Sequence, residues 1–284
     1  MSFEVIDSLF ASAPADAVWE SFHENSKLSL HERHSIFPLP PSDVTVVQAM
    51  NRLQTVKPYR DCPKVPLPAH SPACGTAVEE VAERRVTARH FDGRSIELAQ
   101  LAKVLHFSYG ITRDNADTGY PRPFRAVPSG GALYPLNIYV YATRVRSAEP
   151  GLYHFDPEER NLDVLWQRND LPAIAGFVFQ PELVETAAAV LFVSATFLRS
   201  TFKYSDRGYR FALIEAGHVG QNVLLSAQAL GLAAAPIGGY LDREVDRYLR
   251  LDGLNESVIY MLLLGGSSVT RASAADADAH GSHG

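Results

Sequence analysis

The chain is short of cysteine, of basic charge and of long apolar runs, and each shortage closes off a class of function. Cys62 and Cys74 are its only cysteines, set in the loop DCPKVPLPAHSPACG with no cysteine–histidine cluster at ligand spacing. That argues against a zinc site and for two free thiols in a reducing cytosol. No metal is expected. With 26 basic against 32 acidic residues the net charge is −6, so neither nucleic acid nor an anionic membrane is an expected partner. No apolar stretch nears the roughly 20 residues that cross a bilayer. The opening MSFEVIDSLFASAPADAVWE has no basic start followed by an apolar run, so it is no signal peptide. The expectation is a soluble, cytoplasmic protein.

What is present divides the chain in three. Residues 1–76 read as an N-terminal arm, helical over part of 13–30 and then broken by eight prolines between 36 and 76. Composition leaves open whether that arm lies on a body or serves as a linker. Residues 77–270 carry the globular signal, and the tail 271–284, rich in Ala, Asp, His and Gly, reads as disordered.

Within the body, EEVAERR reads as a short helix. SIELAQLAKVLHFSYG reads as a second one, capped at Ser95 and stopped at Gly110. NIYVYATRV alternates like a strand, and GLYHFD and NLDVLW flank the turn PEER as a hairpin. AAAVLFVSATF and SVIYMLLLGG are continuous apolar runs, as in strands covered on both faces. RFALIEAGHVGQNVLLSAQALGLAAAP is the longest helix, with so little polar face that it belongs in the core or in a dimer contact. LDREVDRYLRL is a shorter amphipathic one. The order predicts an α+β fold, helices wrapped around a mixed sheet of about five strands.

Four short segments have the chemistry of a site. In RVTARHF, Arg85, Thr87 and Arg89 alternate, so extended backbone would point two guanidinium forks and a hydroxyl the same way, as a phosphate group requires. Taken alone, the same residues fit a solvated basic face. AVPSGGALYPLNIYVYA places Pro128, Ser129, Gly130 and Gly131 before a strand, where glycines allow backbone close to a ligand. A plain entry loop would look the same. APIGGY offers a second such turn at Pro236, Ile237, Gly238 and Gly239. Lys203 and Tyr204 stand side by side before the long helix. An ammonium beside a phenol favours the phenolate and makes a better base, provided that a turn brings the two together. His218 and Gln221 share a helical face, where a histidine is more often packed than catalytic.

Taken in order, these segments resemble the nitroreductase-like flavoproteins, and more closely the SagB-type dehydrogenases, the azoline oxidases of azole-peptide biosynthesis. The resemblance runs over most of residues 20–266. It rests on HENSKLSL, RVTARHF, PSGGALYPLNIYVY, GLYHFDP, KYSDRGYRFALIEAGHVGQN, ALGLAAAPIGGY and LLLGG. It implies FMN as cofactor, held at phosphate and ribityl by Arg85, Thr87 and Arg89. Pro128, Ser129, Gly130 and Gly131 would lie against the isoalloxazine, and the turn Pro236–Gly239 would face the N5 edge. Tyr204 and Lys203 match the catalytic pair of such dehydrogenases, and the helix from Tyr209 matches the helix that pairs in a homodimer.

The implied reaction turns a peptide- or carrier-bound thiazoline or oxazoline into the azole, with a cyclodehydratase or synthetase as partner. Other readings keep the fold and change the chemistry. They are an NAD(P)H-fed nitro or enone reductase, a dehydrogenase of cyclic dipeptides, and a docking subunit without chemistry. The chain departs from its relatives at Asn137, where many have Glu, and at Val86, where many have a second basic residue.

Overall fold

The computed structural model describes residues 18–28, 43–53, 56–68, 75–118 and 122–267; the expected tail and Cys74 lie outside them. The chain opens with α1 (Val18–Asn25), α2 (Val44–Arg52), β1 (Lys64–Pro66), α3 (Val78–Arg84), β2 (Ile96–Glu97) and α4 (Leu98–Tyr109). After β3 (Ile111–Arg113) and β4 (Phe124–Arg125), a tight turn at Gly130–Ala132 leads into β5 (Leu136–Ala142). β6 (Val145–Arg146), β7 (Gly151–Asp156), β8 (Asn161–Trp166), α5 (Leu171–Ala175), α6 (Pro181–Thr186) and β9 (Ala189–Thr196) follow. The last elements are α7 (Leu198–Tyr204), α8 (Arg207–Ala229), β10 (Leu232–Ile237), α9 (Asp242–Leu249) and β11 (Glu256–Gly266).

Seven strands pair in the order β1-β8-β7-β5-β9-β11-β10. Every pairing in this sheet is antiparallel, so it is not the mixed sheet expected. Alternation sorts its side chains. Leu136, Ile138 and Val140 of β5 face α4 and α8, while Tyr139 and Tyr141 face a second core built on α5, α6 and α9. α8 buries Ala212, Ala216, Val219, Val223 and Ala227, one residue per turn, which makes it the central helix of the first layer.

Two strands escape a reading by pattern. The proline-rich arm lies on the body rather than linking to it, because Lys64–Pro66 pairs with β8 as an edge strand. The segment LAAAPI, read as the tail of the long helix, is β10 instead. Gly231 (φ 68°) ends the helix, and Leu232–Ile237 then pairs with Met261–Gly266. Pairing along β11 overrides the helical preference of three alanines. The second helix starts later than Ser95, with Glu97 as cap in a reciprocal box with Gln100.

Candidate functional site

Lys203 and Tyr204 end α7, and the chain breaks sharply at Ser205 (φ 50°, ψ −142°). The two side chains lie together, Lys203 Nζ 5.4 Å from the centre of the Tyr204 ring. A Cβ placed on Gly131 would lie 2.5 Å from the Tyr204 hydroxyl and 3.3 Å from Lys203 Nζ. Both polar heads therefore press on one backbone position of the Pro128–Gly131 loop. Gly131 itself has φ 65°, Ala132 53° and Tyr134 47°, conformations that cost of order 1–3 kcal/mol at a non-glycine residue and gather at working sites. Burial holds the Lys203 ammonium below its ordinary value. The Tyr204 ring is buried and meets Phe211 edge-on at 5.0 Å. Phe211 also fills the space beside Gly130, 2.9 Å from a would-be Cβ. The glycine pair is thus required by the chain's own side chains.

Beneath this loop lies a carboxyl to which the sequence assigns no role, although it stands within the segment KYSDRGYRFALIEAGHVGQN. Glu215 of α8 is buried and accepts the Tyr109 hydroxyl at 2.8 Å; Tyr109 in turn accepts the Leu136 N–H at 3.1 Å. Burial raises the Glu215 carboxyl to about 7, against the hydrogen bonds of Ser129 and Tyr109 and the Arg125 charge, which pull it down. The Ser129 hydroxyl accepts the Tyr134 N–H at 2.9 Å. Glu215 so brackets the loop at Ser129 and at the start of β5. Its one signal in the sequence is an acidic residue set in the buried alanine–valine stripe of α8.

Tyr134-Pro135 gains a structural reason here. The Tyr134 hydroxyl accepts the Arg125 N–H at 3.0 Å, the Arg125 guanidinium stacks on both Tyr109 and Tyr134, and the Pro135 carbonyl takes the Thr196 N–H at 2.8 Å. A cleft of about 600 Å³ opens beside the loop, lined by Thr112, Arg113, Arg125, Ser129, Gly131 and Tyr134 among others.

The remaining predicted residues gather on the outer rim of the sheet. Residues 85–88 run extended beside β10, joined by the Ala88 N–H to the Ala234 carbonyl at 2.9 Å. Arg85 Nη1 donates to Thr87 Oγ1 at 3.4 Å, so these two share a side as the alternation predicts. Arg89 is exposed. At the end of β10, Gly238 is exposed with open space where a Cβ would point, whereas Gly239 abuts Phe179. Register puts this turn at the same end of the sheet as Pro135, since Ile237, Met261, Phe192 and Tyr139 stand in line. Between them lie β9 and β11, so within one chain the two groups are three strand spacings apart, about 14 Å.

The donors suit a phosphorylated, planar cofactor. Guanidinium and hydroxyl groups stand along β10, an accessible glycine turn closes that strand, and a cleft with an aromatic and cationic wall lies at the other place. His218 and Gln221 are exposed and take no part in either group. Asn137 is tied into the fold, accepting from Arg199 at 3.1 Å and donating to Thr196 Oγ1 at 3.2 Å. Among the described residues no cluster of His, Cys, Asp or Glu could hold a metal, and no helix is long and apolar enough to cross a membrane.

The nitroreductase family model matches residues 82–266. The chain is 33% identical over 174 residues to MJ1384 of Methanocaldococcus jannaschii, a nitroreductase by name, covering 61% of this chain and 84% of that one. It is 32% identical over 135 residues to the microcin B17-processing protein McbC of Escherichia coli, 45% of this chain and about half (49%) of McbC. Among solved structures, a chain of the E. coli microcin synthetase McbBCD complex with truncated pro-MccB17 superposes with a TM-score of 0.58 at 20% identity. That match covers 95% of this chain and 98% of the other, and it speaks for the fold alone.

Proposed function

This chain belongs to the nitroreductase family, and on that premise we propose that it is an FMN-dependent oxidase of peptide- or carrier-bound thiazoline or oxazoline rings. The observation that carries the reading is the convergence of Tyr204 and Lys203 on Gly131. A base held rigidly against a strained loop suits proton abstraction from carbon better than delivery of a nitro substrate to a reductant. Likeness to McbC, a microcin-processing protein, supports the same branch.

In this reading Arg85, Thr87 and Arg89 take the phosphate, Pro236, Ile237, Gly238 and Gly239 border one edge of the ring system, and Pro128, Ser129, Gly130 and Gly131 its floor. FMN, when bound, would supply the hydride acceptor, with dioxygen as the terminal oxidant. Tyr204, as the phenolate, would accept at Oη the proton from one ring carbon of the azoline while the neighbouring carbon gives up hydride, and Lys203 Nζ would keep that oxygen aimed across Gly131. Aromatisation of the ring drives the step. A synthetase or cyclodehydratase that makes the azoline is the natural partner.

The two groups of residues lie apart in one chain, so the reading includes a homodimer that brings one chain's β10 rim to the other's loop. α8 offers the surface: Leu213 and Ile214 are 40% and 56% exposed, and Gly217 beside them leaves open space. Ile214→Glu is expected to give a monomer by sedimentation and to lose its flavin. A flavin-loaded monomer in that variant would refute the shared site.

The purified protein should be yellow, release FMN on denaturation, and remove two hydrogens per ring from a thiazoline peptide in air, read by mass spectrometry. Rapid bleaching by NADPH with no oxidation of azoline would make it a reductase instead. A colourless protein that still binds the peptide would be a docking subunit.

A further inference from the structure

α2 lies upstream of the family match, yet it builds a wall of the site. Asp43 caps it through Oδ1 on the Thr45 N–H at 2.8 Å. Val46 and Met50, one turn apart, face inward. Met50 is fully buried in a cluster with Leu133 and Tyr204, and Val46, Phe202 and Phe211 close its edge. The Tyr204 ring thus meets Phe211 of α8 and shares one buried cluster with Met50 of the arm.

Arg122 fastens this helix. Its guanidinium donates to the carbonyls of Met50 and Leu53 at the C-terminal end of α2, and at 3.5 Å to the Leu133 carbonyl beside the tight turn. A cation at a helix C-terminus is favourable, but this one is costly. Arg122 is buried, and burial together with the charges of Arg199 and Arg125 lowers its pKa to about 10. A guanidinium in so unfavourable a place is there for the geometry that its fork fixes. Further along the arm, Lys57 pairs with Glu256 at 2.8 Å, Tyr59 meets the Tyr139 hydroxyl at 3.2 Å, and β1 pairs with β8. The arm is therefore fastened beyond α2 as well.

We infer that α2 and Arg122 form a positioning cap for Tyr204, in which Met50 seats the phenol ring and Arg122 pins the helix to the turn that carries Gly131. Neither residue touches reacting atoms; each acts through Tyr204. The inference deepens the proposed function and rests on it for the role of Tyr204.

Met50→Ala should lower kcat about tenfold to a hundredfold, the scale of an ångström-sized misplacement, with KM and flavin content within about threefold of wild type. Met50→Leu, which keeps the volume, should restore kcat. Arg122→Lys keeps the charge and loses the fork, and is the second variant should Met50→Ala fail to fold; it too should lower kcat. A readout free of turnover separates this inference from the proposed reaction: 3-fluorotyrosine at position 204, followed by fluorine NMR. One sharp resonance is expected in the otherwise unaltered protein, shifted or broadened by Met50→Ala and by Arg122→Lys and recovered in Met50→Leu. A resonance unmoved in all three variants overturns the cap, even if the protein oxidises no azoline; a resonance that moves as expected upholds it in either case.

Discussion

Tyr204→Phe is expected to lower azoline turnover by roughly 10²- to 10⁴-fold, the usual contribution of a positioned acid–base group, while leaving the flavin-to-protein ratio unchanged. The change removes one oxygen and nothing else that packs. The ring keeps its edge-on contact with Phe211 at 5.0 Å and its place beside Met50 and Leu133. The groups proposed to hold phosphate sit on the far rim, beside β10. Single-turnover oxidation of a thiazoline peptide, with flavin counted by absorbance, measures both quantities. Wild-type turnover in the variant would remove Tyr204 from the chemistry; lost flavin would recast it as part of the cofactor cradle. Lys203→Ala should do less, because the lysine acts on the base rather than on substrate, and its ammonium is already disfavoured by burial.

The sequence makes some of this legible and hides the rest for physical reasons. β5, β7, β8, β9 and β11 are each a run or an alternation of apolar residues, a local property that survives without tertiary context. β1 is three residues long in a proline-rich stretch, and β10 is half alanine; both exist because a neighbouring strand pairs with them. The candidate site divides in the same way. Adjacent Lys203 and Tyr204 are visible in the sequence, but their convergence on Gly131 depends on how α7 packs against a loop far back in the chain, which no local propensity announces. Gly131 reads as room for a ligand, and the packed chain shows the room taken by Tyr204 and Lys203. Met50 and Arg122 carry no motif and Glu215 stands unremarked inside one, since their roles come from contacts between residues tens of positions apart.

Glu215→Gln tests the carboxyl beneath the loop through stability, independently of any substrate. Burial raises this carboxyl from 4.5 to about 7. Between those two values the unfolded chain releases the proton and the folded chain keeps it. Stability therefore falls as pH rises through that window and levels off above about 7. The shift corresponds to a loss on the order of 3 kcal/mol, spread over the window. Glutamine cannot ionise, so the variant should lack this slope. Relative to wild type it should gain about 2–3 kcal/mol on going from pH 4.5 to pH 8, measured by denaturant unfolding at a series of pH values. The comparison does not depend on how well the amide replaces the carboxyl. Any bond lost to Tyr109 or Ser129, and any cost of setting an amide nitrogen where Oε2 now has no partner, is nearly the same at every pH. Parallel stability curves would mean that Glu215 ionises at an ordinary value and has solvent or a cation to stabilise its charge. A gap that moves in the variant's favour by about 2–3 kcal/mol between pH 4.5 and pH 8 would establish a neutral acid under the loop at the lower end of the physiological range.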